Sequence, residues 1–385
     1  MGSRNRAGDE RASIGPDLDA LEAWSARAFE DATVIPTEFY LSGEIAQLER
    51  KAIFGREWIC AGREDYAANI GDFFCFLLND TPIIIVRGQG GELQALLNVC
   101  RHRGMKLVEG DGHAAAFSCP YHGWTYNLDG SLRNAPFMQD VAAFDPGSVC
   151  LPKLRLECWQ GFVYVCLDAE AEPLSPRLQG LAELMERHQV SDMKPVFSET
   201  VEYGCNWKLL LENFCESYHL FCVHRKTLEP TSPTKSIAVL AGGPGWNLHR
   251  LDYVDGWRDD KPGIRSEEAP GKGYISAVYP AQAMAFGSED SVLWINTLPS
   301  APDRVRVSVC CIATPDTSDG EVSEEARRKL RDHAFEFLAE DEACLEAVQK
   351  NLASFNPSQP YCPFERSNWE FEQYAVGLLV AAGRP

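Results

Sequence analysis

The chain has 385 residues, of which 45% are hydrophobic, and a formal net charge of −20. That length exceeds what one hydrophobic core usually serves, so two domains are expected. The acidic balance repels phosphate backbones and anionic bilayers, which argues against nucleic acid and membrane partners.

The longest apolar run, Ala375 to Ala382, is far short of the ~18–20 residues of a spanning helix. Met1 to Asp17 is charged and has no apolar stretch. It reads as a mobile tail rather than a secretory signal. The fourteen cysteines sit mostly in apolar surroundings such as Phe74-Cys75-Phe76, as structural thiols do in a reducing compartment. A cytoplasmic location is expected.

In chain order, Ile45, Leu48, Ala52 and Ile53 share a helical face over 42–55, with Ser42 placed to cap it. From Gly71 the pattern turns to short strands: Phe73–Leu78, Ile83–Arg87 and Leu93–Val99, separated by Asn79-Asp80 and Gly88-Gln89-Gly90-Gly91. Strands over Leu154–Cys158 and Phe162–Leu167 complete an all-β module over 60–167. After the Pro- and Glu-rich link 170–176, spacing predicts a helix over Trp207–Phe221 and strands over Ser276–Phe286, Val292–Leu298 and Val305–Ala313. A long charged helix over Glu321–Leu352 follows. The expected class is α+β, an all-β domain and then an antiparallel sheet flanked by helices. The expected division is a tail over 1–35, a first domain over 36–167 and a second over 168–385.

Cys100-Arg101-His102 and Cys119-Pro120-Tyr121-His122, separated by sixteen residues, supply two thiolates and two imidazoles. Structural zinc usually pairs cysteine with cysteine and histidine with histidine. Here each short loop carries one of each, as a Rieske [2Fe–2S] cluster requires. Gly104, Pro120 and Gly123 suit tight turns, and Trp124 and Tyr126 could cover the cluster. Cys-Arg-His-Arg-Gly (100–104) with Cys-Pro-Tyr-His-Gly-Trp (119–124) resembles the signature of Rieske non-haem iron oxygenase large (alpha) subunits, the ring-hydroxylating family. That resemblance implies a helix-grip-like second domain with a mononuclear iron.

Glu216 and His219 are three apart, one turn of the expected helix, and His224 follows. Two histidines and a carboxylate with open positions form the facial triad of non-haem Fe(II) oxygenases. Asn206-Trp207-Lys208, Glu212-Asn213 and Tyr218-His219 resemble the family's iron motif. Glu340-Asp341-Glu342 resembles its acidic ligand segment, implying Asp341 as third ligand with Glu340 as the competitor. The resemblance gives Glu216 a bridge from a Rieske histidine of one subunit to His219 of its neighbour, hence a homotrimer. Most relatives carry Asp there, and Glu resembles the branch that oxidises quaternary ammonium compounds. Tyr218, Trp246, Tyr253, Trp257, Tyr274, Tyr279, Phe286 and Trp294 are candidates for an aromatic cage around an alkylated cation, and the same residue types serve equally in core and sheet packing or in a flat apolar slot for an aromatic ring.

The implied activity is O2-dependent hydroxylation of a small molecule. Both monooxygenation of an N-methylated compound and attack on an aromatic ring remain open. No G-x-G-x-x-G run follows a strand, so NAD(P)H would act through a separate reductase, with or without a ferredoxin. Two other classes stay open: a Rieske electron-transfer protein and a zinc-stabilised binding protein.

Overall fold

The structure, a computed structural model, describes residues 18–254, 271–288 and 290–383. Met1–Asp17, the first part of the tail expected over 1–35, and Trp257 lie outside them; the rest of that stretch is no tail, since Leu21, Trp24 and Ile35 are buried in the core.

Helix α1 (Leu18–Ser25) and helix α2 (Gly43–Ala52) open the chain. The Ser42 side chain accepts from Ile45 N and so caps α2. The first sheet contains β1 (Ile59–Arg63), β2 (Asp72–Leu78), β3 (Thr81–Arg87), β4 (Leu93–Leu97) and β5 (Asp111–His113). Strands β6 (Phe117–Ser118), β7 (Thr125–Tyr126) and β8 (Leu132–Asn134) form a small separate sheet. Then β9 (Lys153–Trp159) and β10 (Phe162–Cys166) rejoin the first sheet, in the order β1-β10-β9-β4-β3-β2-β5.

Strand β3 explains how that sheet divides space. Ile83 and Ile85 enter the cluster that holds Trp207, Leu210 and Phe214, whereas Ile84 and Val86 enter the cluster that holds Cys100, Cys119 and Trp124. Successive side chains point to opposite faces, and all four are fully buried. Each contributes roughly 1.5–3 kcal/mol of burial. One face of the sheet therefore carries the cysteine–histidine loops and the other carries the second domain.

The second sheet runs β11 (Lys194–Tyr203), β12 (Ala238–Gly243), β13 (Trp246–Asp252), β14 (Lys272–Val278), β15 (Gln282–Ser288), β16 (Ser291–Ala301) and β17 (Arg304–Ala313). Its spatial order is β11-β17-β16-β15-β14-β13-β12, with every pairing antiparallel. Helices α3 (Trp207–Cys215), α4 (Glu324–Leu352) and α5 (Arg366–Gly383) pack on one face. The first domain and the segment around Leu174–Met193 cover the other. Tyr164 Oη donates to Gln282 Oε1 (2.6 Å) and Asn296 Nδ2 to the Cys60 carbonyl (2.6 Å) across that seam.

Two expectations need correction. The strand expected over Ser276–Phe286 is a hairpin, because Pro280 follows Tyr279 and turns β14 into β15. The helix expected to reach Phe221 stops at Cys215, with Glu216 in extended backbone at φ −128° and ψ 163°. Glu216 breaks the helix by using its own carboxylate, whose Oε2 accepts from Tyr218 N and from His219 N (3.3 Å).

Candidate metal centres

Two loops of matching construction carry the cysteine–histidine residues. In the first, Cys100 N donates to the Met105 carbonyl (2.8 Å) and Gly104 N to the Cys100 carbonyl (3.0 Å). In the second, Cys119 N donates to the Trp124 carbonyl (2.7 Å) and Gly123 N to the Cys119 carbonyl (3.0 Å). Each turn closes on a glycine at positive φ, +76° at Gly104 and +71° at Gly123, where a Cβ would be strained.

The two cysteines are buried, and the rings of His102 and His122 lie 4.6 Å apart. Trp124 stacks flat on His102 (4.9 Å, 5°), and Tyr126 Oη lies 3.3 Å from Cys100 Sγ while accepting from Arg101 N (3.0 Å). His102 Nδ1 is buried with no hydrogen-bond partner. Burial, then His122 and Arg103, hold the His102 imidazole below its usual pKa, a shift toward the form that binds metal. An orphaned imidazole nitrogen beside two thiols fits a Rieske cluster.

The second centre is a one-turn loop facing a helix. After Glu216 the chain re-enters helical geometry, Val223 N donating to the His219 carbonyl (2.8 Å) and His224 N to the Leu220 carbonyl (3.1 Å). Potential ligand atoms of His219, His224 and Asp341 all lie within 4.8 Å of one another. Asp341 Oδ1 is 3.0 Å from His224 Nε2 and 3.6 Å from His219 Nε2, yet it is buried without a well-formed hydrogen bond.

The remaining imidazole nitrogens face carboxylates: Glu216 Oε1 lies 2.5 Å from His219 Nδ1, and Glu340 Oε2 lies 2.8 Å from His224 Nδ1. Burial opposes charge on His224, but Asp341 and Glu340 outweigh it and raise its pKa. Three carboxylates around two imidazoles leave an excess of negative charge that a divalent cation would balance. This donor set fits iron.

The sequence placed Glu216 and His219 on one helix face; the structure pairs them across a broken helix instead. Three other participants were not anticipated. Thr227 Oγ1 donates to Glu340 Oε2 (2.7 Å), and Ser217 Oγ lies 2.8 Å from His249 Nε2. His249 is buried on β13, where burial and then His219 push its pKa down to about 3, so the ring is neutral. Only the cross-strand pairing of β13, invisible in one sequence, brings it here.

Among the described residues the aromatic cage is not assembled. Trp246, Tyr274, Phe286 and Trp294 pack on the sheet face away from α3. Tyr279 packs on Phe371 and Tyr374, and Tyr253 Oη donates to the Gly287 carbonyl. Of the described candidates, Tyr218 alone adjoins the ligand loop, 42% exposed and stacked on Phe364.

Comparison with known proteins matches both domains. A family described as the Rieske [2Fe-2S] domain matches residues 57–145, and one described as the ring hydroxylating alpha subunit (catalytic domain) matches residues 190–379. A carnitine monooxygenase oxygenase subunit of Escherichia coli is 34% identical over 215 residues, 55% of this chain and 57% of that protein. The benzene 1,2-dioxygenase alpha subunit of Pseudomonas putida is 33% identical over 199 residues, 49% of this chain and 44% of that one. The chain thus spans about half the length of these curated relatives. Among solved structures, a quaternary ammonium Rieske monooxygenase, CntA, superposes with a TM-score of 0.82 at 22% identity, over 94% of this chain and 99% of that one, which is a likeness of fold. The chain joins a Rieske [2Fe–2S] domain to a ring-hydroxylating alpha-subunit catalytic domain, and so belongs to the Rieske oxygenase alpha-subunit family.

Proposed function

We propose that the chain is the oxygenase component of a Rieske monooxygenase acting on a small quaternary ammonium or N-methylated substrate. The observation that carries the oxygenase reading is the convergence of His219, His224 and Asp341 in a chain that also bears a Rieske domain. A pure electron carrier would not need the second donor set. The substrate class rests on the similarity to carnitine monooxygenase and on Glu at position 216.

When bound, the cluster would supply single electrons and the iron would supply O2 chemistry, which neutral side chains cannot. Cys100 and Cys119 would hold one iron of the cluster, and His102 and His122 the other. His219, His224 and Asp341 would hold the mononuclear iron, leaving positions open. Glu216 and Glu340 would accept hydrogen bonds from the Nδ1–H groups of His219 and His224, fixing both rings with Nε2 toward the iron.

Glu216 would also connect His219 to a Rieske histidine of a neighbouring copy. The sheet dividing the cysteine–histidine loops from the second domain argues for that route, because it separates the two centres of one chain. Tyr121, Phe137 and Met105 near one centre and Tyr218 and Phe221 near the other are exposed apolar side chains suited to mutual burial. A head-to-tail contact of this kind closes into a ring, here a homotrimer. Electrons would come from a separate NAD(P)H-dependent reductase.

The second reading, oxidation of an aromatic ring, is favoured by the benzene dioxygenase relative. The two are separated by incubating the iron-loaded protein with a reductase, NADH, O2 and a panel of L-carnitine, γ-butyrobetaine, glycine betaine and toluene. Oxidation of a carbon bonded to nitrogen breaks the C–N bond, so free amine or formaldehyde supports the proposal. A hydroxylated or diol ring product, with no C–N cleavage, overturns it.

A further inference from the structure

The register of the second sheet shows where a substrate would lie. Ala277, Ala283, Ile295 and Val309 form one cross-strand row, fully buried in the core cluster that includes α3. The parallel row two residues along each strand runs His249, Ile275, Ala285, Leu293 and Cys311. It points to the same face, since the side-chain period is two. Yet Ile275, Ala285 and Leu293 are only partly buried.

The cause is the end of α3. The helix stops at Cys215, and the next residue but one, Ser217, meets His249 of the second row. Beyond that point α3 no longer covers the row, and Leu293 shares a small cluster with Ala326 and Leu330 of α4, the helix that carries Asp341. Ile275, Ala285 and Leu293 thus form a partly buried apolar strip in one cross-strand row with His249. At one end of that strip stands His249, 1% exposed, its Nε2 engaged by Ser217 and its Nδ1 buried without a partner. A buried polar atom left unpaired is destabilising unless something completes it.

We propose that His249 is the polar anchor of a substrate site along this strip, its Nδ1 hydrogen-bonding an uncharged hydroxyl or similar oxygen of the substrate while alkyl groups cover Ile275, Ala285 and Leu293. The inference rests on the oxygenase reading for the identity of the site. It adds the residue that selects among substrates and the kind of group selected. A neutral imidazole recognises a neutral polar atom and gives no ion pair.

The test uses matched ligands that differ by one hydroxyl, titrated calorimetrically into the iron-loaded protein without reductase. The pairs are L-carnitine against γ-butyrobetaine, and benzyl alcohol against toluene. In the wild type the hydroxylated member of at least one pair should bind about tenfold tighter than its partner, the worth of one buried hydrogen bond. His249→Leu should erase that preference with iron content unchanged. Ser217→Ala, which removes the Nε2 partner but leaves Nδ1, should keep it, so a merely structural role for His249 would show itself. Binding of only the toluene pair, with the preference present, would overturn the quaternary ammonium reading and leave His249 standing. A preference that is absent in the wild type, survives in His249→Leu, or cannot be seen because neither pair binds overturns the inference.

Discussion

At the scale of the residue, adjacent carboxylates on α4 are given different work by helical geometry. Neighbouring positions on a helix point about 100° apart. Asp341 therefore reaches between the Nε2 atoms of His219 and His224, while Glu340 meets the outer nitrogen of His224 together with Thr227. Asp341→Ala should lose roughly one iron in three and all turnover, with the visible spectrum of the cluster intact. Glu340→Gln should keep the iron but weaken its binding, by roughly 10–100-fold as outer partners of ligating histidines do. Iron analysis under a graded chelator checks both; equal iron loss in the two variants would show that Glu340, too, is a ligand.

At the scale of the element, α3 is held from three sides by buried polar contacts. Asn206 caps it by accepting from Lys208 N (3.0 Å), and its Nδ2 donates to the carbonyls of Tyr40 and Pro302. Lys208 pairs with Glu49 of α2, which also accepts from Trp207 Nε1 (2.9 Å). One turn on, Tyr40 Oη donates to Glu212 Oε2 (2.9 Å), with Glu372 of α5 beside it and Tyr361 donating to Glu372.

Burial pushes the Glu212 carboxyl up to about 8, against the opposing pull of Tyr40 and Lys208, and burial and then Glu212 raise Glu372. A carboxyl whose folded pKa is raised binds its proton more tightly when folded. Its contribution to stability is thus complete below the unfolded value and lost as pH rises through the folded one. The melting temperature should fall as pH rises from about 4.5 to 8. Glu212→Gln, which cannot ionise, should flatten that slope. A melting curve series that keeps the wild-type slope in Glu212→Gln would assign the pH dependence elsewhere.

At the scale of the whole molecule, the proposed transfer between copies can be tested by complementation. If Glu216 joins centres of different chains, a protein with a dead cluster and one with a dead iron site should rescue each other. Cys100→Ser and His219→Ala, each inactive alone, should regain activity when co-expressed and purified as mixed trimers. Random assembly leaves about a quarter of the iron sites served by an intact neighbour in a closed ring. Mixed trimers as inactive as either parent would place transfer within one chain.

Local chemistry determined what could be read in order along the chain. The candidate donors Cys100, His102, Cys119, His122, His219 and His224 could be picked out because each pair lies two to five residues apart, with Gly104 and Gly123 marking the turns of the cysteine–histidine loops. Strands β2, β3, β4, β9 and β10 were legible because turn residues bound them, whereas β1 and the short β5 to β8 were not. Helix α3 was half legible: its start is written in the Asn206 cap, but its end depends on the Glu216 carboxylate turning back on its own backbone. Tertiary structure alone decided the rest. The pairing of Glu340 with His224, the entry of His249 through Ser217, and the turning of Trp246, Tyr274, Phe286 and Trp294 away from the site all depend on which strand lies beside which. Cross-strand register is set by the burial of whole faces, a property that no short stretch of sequence contains.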